Sequence, residues 1–422
     1  NNGGDAFVAA RFLDKYDVRV LLLGRAESIS TDIARKNWNA LGQADYRREE
    51  VRDSRNLDLG DPDIVVDAML GTGIAGDLRE PEATAAQAMN ESSATILAVD
   101  VPSGVDADTG ESSTKAVEAD HVITFHDMKP GLDALDSEVR VADIGIPQAA
   151  ERFVGPGDVA VERDPNSEKG DSGRVLVIGG GPYTGAPSLA AQASLRAGAD
   201  LAFVSVPQWV FEPIASYAED LIVQPYESDR LSPEQVDGLV ETATQYDDTV
   251  VLGPGLGSAD ETLDAVAQFL SDFEGRAVID ADALSVVPEV ETDATLVCTP
   301  NRHELAEMGG PDVDDLTAHT DEIEEFAAEL GHVVLAKAKD DVISDGENTR
   351  LCRAGTPGMT VGGTGDVLSG VTAAFLAARE PLDAACAASY VNGKAAERLA
   401  RDGGLLASGL LDSLPHAIQE AR

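Results

Sequence analysis

Gly363-Thr364-Gly365-Asp366 is the segment of this sequence best suited to chemistry. It closes the glycine-dense stretch Gly355–Gly363 and runs directly into the apolar pair Val367-Leu368. A carboxylate in the first turn of a helix is a common stabilising device, and that role alone would account for Asp366. It does not account for Gly362, Gly363 and Gly365, because a cap needs only one small or polar residue. Glycines at a helix start let successive backbone N–H groups turn toward an anion. A carboxylate beside them can take the proton of an attacking hydroxyl. Phosphoryl transfer needs those two parts above all, since its catalysis is mostly positioning and charge stabilisation.

Other segments repeat the pattern of strand, glycine and helix. Ser172-Gly173-Arg174 leads through Val175–Ile178 into Gly179-Gly180-Gly181-Pro182-Tyr183-Thr184-Gly185-Ala186, which reads equally as a binding loop or a turn. Gly253-Pro254-Gly255-Leu256-Gly257 follows an apolar run with more glycine than a turn requires, so a ligand-facing loop is expected there. Thr299-Pro300-Asn301-Arg302-His303-Glu304 opens a helix, and a cap with Glu304 in the first turn explains it. His303 by itself reads as a surface or packing residue rather than a catalyst.

In the first half, Asn1-Asn2-Gly3-Gly4-Asp5 opens onto the helix-like Ala6–Lys15, as a diphosphate cradle or simply a cap. Asp67 ends the apolar run Ile64–Asp67 before Gly71-Thr72-Gly73. Asp100 follows Ile96–Val99 and precedes Pro102-Ser103-Gly104. Two strand-end aspartates facing one crevice suit proton abstraction or oxygen ligation of a cation. Taken singly, each reads equally as a turn.

The elements that position these residues form two successive α/β alternations. The first has strand-like runs at Val18–Leu23, Ile64–Asp67, Ile96–Val99 and His121–Phe125, with helical stretches Ile29–Leu41 and Glu82–Asn90 between them. Around Asp143–Glu168 the pattern dissolves into Gly, Pro and charge, the signature of a linker. The second has strands at Arg174–Ile178, Leu201–Val206, Thr249–Leu252, Ala277–Asp280, Thr295–Cys298 and Val333–Ala336, then helices at Asp366–Ala378 and Leu382–Arg401. Alternation of this kind predicts parallel sheets covered on both faces. The expected fold class is α/β in two domains, over residues 1–150 and 155–422.

Composition narrows the partners. The 422 residues are 43% hydrophobic, enough for proper cores, and no apolar run reaches the roughly 18 residues of a membrane span. No signal peptide is read at the start. Cys298, Cys352 and Cys386 are far apart and odd in number, so reduced thiols in a cytoplasmic protein are expected. The net charge of −45 is spread along both halves. Such like charge repels itself in dilute buffer, and the Debye length shrinks to about 3 Å at molar salt. A salt-rich cytoplasm, that of a halophilic archaeon, fits. The charge argues against nucleic acid and anionic membranes as partners. Anionic ligands must then be held by helix N-termini, glycine backbone, a few basic side chains or a cation.

The turn Gly363–Asp366 resembles the anion-hole turn of the ribokinase-like superfamily. In their order, Ser172–Ala186, Gly253–Gly257, Thr299–Glu304 and Gly362–Gly370 resemble the ADP-dependent NAD(P)H-hydrate dehydratase family, over essentially all of residues 155–422. The resemblance implies a ribokinase-like domain with Asp366 as the base on the hydrate's hydroxyl. Ala186, Gly255, Asn301 and Asp366 would contact the hydrated nicotinamide substrate. Lys337, Ala338, Lys339, Asp340 and Asp341, with Gly363, Thr364 and Gly365, would hold the adenine nucleotide. The family commonly has Lys-Gly where this chain has Lys337-Ala338, a methyl that would crowd close backbone approach. Magnesium would accompany the ADP.

The first half resembles the NAD(P)H-hydrate epimerase family, which is often fused ahead of the dehydratase, and implies a Rossmann-like three-layer α/β/α domain. Asn2, Asp67 and Ser103 would ligate potassium, and Asp100 would contact substrate as the acid–base. Asn1, Asn2, Gly3, Gly4 and Asp5, with Gly71, Thr72, Gly73, Ile74, Ala75, Gly76 and Asp77, would line the substrate site. The family has a helix and strand ahead of this motif, so an N-terminally incomplete domain is expected. Together the halves imply a homo-oligomeric repair enzyme acting on NAD(P)HX: epimerisation of the R and S hydrates, then ADP-dependent dehydration of the S form to NAD(P)H with release of AMP and phosphate. A ribokinase-like kinase of a vitamin-precursor alcohol is the nearest alternative. A nucleotide-binding scaffold with a non-catalytic first domain is another.

Overall fold

The computed structural model describes residues 2–72, 77–159, 170, 172–245, 248–402 and 405–421. The chain divides into two units, Asn1–Pro147 and Gln148–Arg422, and both are α/β with parallel strands.

In the first unit, β1 (Arg19–Leu23) pairs in parallel with β2 (Arg47–Val51). A separate sheet runs β3 (Ile64–Asp67), β4 (Thr95–Val99), β5 (His121–Phe125), β6 (Glu138–Ala142), all parallel. The charged β2 and β6 escape the apolar pattern; each lies at a sheet edge, where exposed polar side chains cost little. The helix Glu82–Asn90 buries Ala83, Ala86 and Met89 against Val65 and Ile96. The first helix spans Asn2–Arg11, so Gly3 and Gly4 lie inside its first turn rather than ahead of it. Parallel register brings the carboxyl ends of β3, β4 and β5 side by side.

Among its described residues the second unit holds nine strands: β7 (Arg174–Ile178), β8 (Leu201–Pro207), β9 (Ile222–Tyr226), β10 (Thr249–Leu252), β11 (Arg276–Ile279), β12 (Thr295–Cys298), β13 (Val333–Ala336), β14 (Asp341–Ser344) and β15 (Thr349–Cys352). Their order is β15-β14-β13-β12-β11-β10-β7-β8-β9. Only β13–β14 and β14–β15 are antiparallel. Continuous apolar strands follow from burial on both faces: Val175 and Val177 enter one core cluster, while Leu176 and Ile178 enter the other. Each such fully buried side chain contributes about 1.5–3 kcal/mol. The strand order reverses between β7 and β10, and loops beyond the carboxyl ends at such a point form a ligand crevice.

The helix Thr364–Leu376 is buried from Val367 to Leu376. It crosses the helix Gly185–Ala197 at Gly370, where a Cβ would overlap the Ala190 carbonyl oxygen. The expected linker is shorter than its composition suggests. Leu351 N–H donates to Arg152 O (2.6 Å), Val154 N–H donates to Leu351 O (2.9 Å), and Val154 and Val159 are buried in the second unit's core. Cys298, Cys352 and Cys386 are buried and unpaired with one another. Among the described residues no helix is long and apolar enough to cross a membrane.

Candidate active sites

In the second unit, adjacent parallel strands deliver charged residues in a row. Asp280 follows β11, Asn301 and Glu304 follow β12, and Lys337 follows β13. Lys337 Nζ donates to Asp280 Oδ1 (2.8 Å) and lies 3.7 Å from Glu304 Oε2. Thr299 Oγ1 donates to the same Asp280 oxygen (2.9 Å). The Lys337 N–H donates to Pro300 O (2.7 Å), which fixes the loop after β13 against the loop after β12. Asn301 and Glu304 form a reciprocal capping box: the Asn301 side chain accepts from His303 and Glu304 N–H, and Glu304 accepts from Asn301 N–H (2.7 Å). His303 is exposed, 3.3 Å from Glu307.

The helix Thr364–Leu376 starts over this row. Its N-cap Gly363 is left-handed (φ 93°), and a side chain there would press on Leu189 and Ala407. A Cβ at Gly365 would sit 3.3 Å from Lys337 Nζ, so the ammonium stands against the glycine turn. Burial, helped by Asp280 and Glu304 and opposed by Lys337, pushes the Asp366 carboxyl up to about 7. Burial would lower the Lys337 ammonium, but the Asp280, Glu304 and Asp366 carboxylates outweigh it and hold its pKa above the usual lysine value. Asp366 is therefore no simple stabilising helix-start carboxylate: the fold opposes its charge. A group poised near neutrality can accept a proton and later return it.

The glycine loops after β7 and β10 pack against each other. Gly180 N–H donates to Pro254 O (2.9 Å). A Cβ at Gly255 (φ 77°) would lie 2.8 Å from Tyr183 O, and one at Gly253 would overlap the Asp280 carbonyl. Much of the surplus glycine in these two loops is thus consumed by their mutual packing, which no local pattern reveals. Half-buried Ala186 lies in the first turn of its helix. Beside the paired loops is a cavity of about 470 Å³ lined by Trp209, Arg230, Leu256 and Thr262.

Within Lys337–Asp341, the side chains point different ways. Ala338 is exposed, so its methyl crowds nothing in the fold itself. Lys339 is also exposed, and Asp340 accepts from Arg353 (3.2 Å). Asp341 turns inward: it accepts from Ala338 N–H (3.0 Å) and Ser389 Oγ (2.6 Å), and burial pushes its carboxyl up to about 6. Its carboxylate ties the loop to the helix Pro381–Asp402 through Ser389. Asn392, on that helix, donates to Thr364 O (3.4 Å), while its buried Oδ1 finds no partner among the described residues.

In the first unit, Asp67 is fully buried at the end of β3. Its Oδ1 accepts from Ser103 Oγ (2.7 Å) and Met69 N–H (3.2 Å), and its Oδ2 from Ser103 N–H (2.7 Å). Burial raises its pKa against those hydrogen bonds. Asp100 follows β4 in a left-handed conformation (φ 69°). Its Oδ1 accepts from Thr124 Oγ1 (3.2 Å) and Phe125 N–H (3.4 Å), and lies 3.1 Å from Lys129 Nζ. Gly3 lies against the Ala68 carbonyl, Gly4 and Gly71 are half-buried, and Asp5, Thr72 and Asp77 are exposed. The side chain of Asn2, together with Asn1, Gly73, Ile74, Ala75 and Gly76, falls outside the described residues.

Asp280, Glu304 as a charge partner, Asn392 and Lys129 were not foreseen as site residues. Asp280 and Lys337 are far apart in sequence and meet only through strand order; Asp280 ending an apolar run was the one available signal.

Residues 175–419 match the model of the NAD(P)H-hydrate dehydratase family, and residues 1–131 match that of the YjeF-related protein N-terminus. The bifunctional NAD(P)H-hydrate repair enzyme Nnr of Pyrobaculum aerophilum is 43% identical over 99% of this chain and 87% of its own length. The chain belongs to the bifunctional NAD(P)H-hydrate repair enzymes. The member of this family from Archaeoglobus fulgidus is 41% identical, with the same coverage of both chains. A solved ADP/ATP-dependent NAD(P)H-hydrate dehydratase from Bacillus subtilis, co-crystallised with ATP and magnesium, is 25% identical. It superposes with a TM-score of 0.55 over 66% of this chain and 100% of that one. The repair family's dehydratase half thus coincides with the nine-stranded unit, and its N-terminal half with the unit carrying Asp67 and Asp100.

Proposed function

We propose that the second unit dehydrates the S hydrate of NAD(P)H using ADP, with Asp366 as the base. The observation that carries this is the carboxyl at about 7 set beside the glycine turn and the Lys337 ammonium. Asp366 takes the proton of the hydrate's hydroxyl; the oxygen attacks the terminal phosphorus of ADP, and AMP leaves. The phosphate ester then ionises, the ring nitrogen pushing phosphate off, and loss of a ring proton restores NAD(P)H. Phosphorylation makes a poor leaving group a good one. The N–H groups at Gly363–Gly365, with Lys337, would stabilise charge on the transferred phosphoryl group. Ala186, Gly255 and Asn301 would meet the substrate, and the backbone of Lys337–Asp341 the nucleotide. Magnesium would accompany the nucleotide and neutralise phosphate charge, with buried Asp280 and half-buried Glu304 the nearest carboxylates to receive it. Incubation with ADP and NADHX tests the reading: 340 nm absorbance recovers, whereas a kinase of another alcohol leaves it flat.

We propose that the first unit interconverts the R and S hydrates at Asp100. Adjacent oxygens of Asp67 and Ser103 suit a hard monovalent cation, and the desolvated Asp67 carboxylate gains from one. Asp67, Ser103 and Asn2 would hold potassium, which would supply positive charge beside the anionic dinucleotide. Replacing potassium by a bulky organic cation should slow epimerisation and leave dehydration of the S form intact.

A further inference from the structure

Lys129 is the only ammonium bonded to Asp100 among the described residues. It follows the turn after β5 and folds back over the strand end. Its Nζ donates to Phe125 O (2.6 Å) and Asp127 O (3.1 Å), and its remaining proton faces Asp100 Oδ1 (3.1 Å). Fixing a lysine stem this way forfeits about 2 kcal/mol of rotamer freedom. Asp100 gathers its contacts on Oδ1; no hydrogen bond to Oδ2 is made among the described residues. The pair is about four-fifths buried, with side-chain exposures of 23% and 19%.

We propose that Lys129 is the acid partner of Asp100, and that the two epimerise the hydrate by opening its ring. This rests on the epimerase reading of the first unit. Hydration of a dihydronicotinamide ring places a hydroxyl on the carbon beside the ring nitrogen, a hemiaminal. Its configuration can invert in two ways. Hydroxide can leave and water re-add to the opposite face, which calls for acid and base on opposite sides, about 6.5–9.5 Å apart where carboxylates do such work. Alternatively, the O–H proton is removed, the carbon–oxygen double bond forms, and the carbon–nitrogen bond breaks as nitrogen takes a proton. The oxygen and nitrogen sit on one carbon, so this route needs adjacent acid and base. Asp100 and Lys129, 3.1 Å apart, have that spacing.

Asp100 therefore takes the hydroxyl proton while the Lys129 N–H now facing Asp100 turns to the ring nitrogen. The electron pair of the carbon–nitrogen bond stays on nitrogen, giving an open-chain aldehyde. Rotation of the aldehyde presents its other face. The nitrogen re-attacks, returning its proton to Lys129, and Asp100 protonates the oxygen. No atom enters or leaves.

The test uses the full chain with R-enriched NADHX in oxygen-18 water, without ADP, and mass analysis of the S product at early times. The expected S product carries unlabelled oxygen. Lys129→Ala should slow epimerisation at least a hundredfold, in the range general acid catalysis supplies. Lys129→Arg, which keeps the charge and the carbonyl contacts but is a poor acid, should hold KM and lose kcat. Full incorporation of label, Lys129→Ala within threefold of wild type, or Lys129→Arg with wild-type kcat would each overturn the proposal. If Asp100→Asn abolishes epimerisation while the lysine variants do not, only Lys129 falls. If Asp100→Asn is also silent, the reading of the first site falls with it.

Discussion

Replacing Asp366 by asparagine should abolish dehydration and at the same time stabilise the second unit. The fold raises this carboxyl from 3.8 to about 7 through burial and the neighbouring Asp280 and Glu304. A carboxyl whose folded pKa exceeds its unfolded value carries no penalty below the unfolded value. The penalty grows as pH rises between the two and is complete above the folded value. At about 1.4 kcal/mol per unit, the charged Asp366 costs the fold up to about 4 kcal/mol near pH 8, and about half that or less near pH 5. Asparagine has nearly the same shape and no charge to desolvate. Denaturant unfolding of wild type and Asp366→Asn at fixed molar salt, across that pH range, reads the difference directly. Recovery of absorbance at 340 nm with ADP and NADHX reads activity on the same samples. A helix-start carboxylate serving stability would behave oppositely, losing about 0.5–2 kcal/mol on replacement. A variant no more stable than wild type near pH 8, or one that still dehydrates at the wild-type rate, would refute the reasoning.

Lys337→Met removes the cation that holds the Asp366 pKa down. The acid limb of the residual dehydration rate should move to higher pH, visible in a pH–rate profile. Gly370→Ala forces a methyl onto the Ala190 carbonyl; the helices Thr364–Leu376 and Gly185–Ala197 must part, and unfolding experiments should show a loss of about 1–3 kcal/mol. The net charge of −45 predicts that the melting temperature falls as KCl drops from about 1 M to about 0.1 M and the Debye length grows from about 3 to about 10 Å. An unchanged melting temperature would show that the acidic surface is not limiting.

How much the sequence revealed follows the chemistry of each element. β3, β5, β7, β10, β12 and β13 were legible to the residue, because each is a short apolar run with sharp ends, whether buried on both faces like β10 and β13 or on one like β3. β9, β14 and β15 were not. Their interleaved polar residues (Gln224, Asp341, Thr349, Arg350) belong to strands near the sheet's edges, where apolar continuity is not demanded. The glycine turn before Asp366 was legible because backbone freedom is written locally. The Asp280–Lys337 pair was not, because it exists only once β11, β12 and β13 lie side by side. Lys129 was hidden for a similar reason: its partners are mostly main-chain carbonyls, which carry no residue identity.

The interlocked loops after β7 and β10 have a consequence for how such an enzyme can change. Gly179, Gly181 and Gly255 each occupy space that a carbon on the other loop's side would need. The two loops therefore share one volume, and bulk gained by either must be surrendered by its partner. A lineage altering the shape of this crevice would have to do so by paired substitutions across some 75 residues of chain, the interval from Gly180 to Gly255, or by changing the rim around Trp209 and Arg230 instead. The crevice floor is then a fixed part and the rim an adjustable one. Substitutions at Trp209 and Arg230 change the cavity without entering the volume that the glycines share.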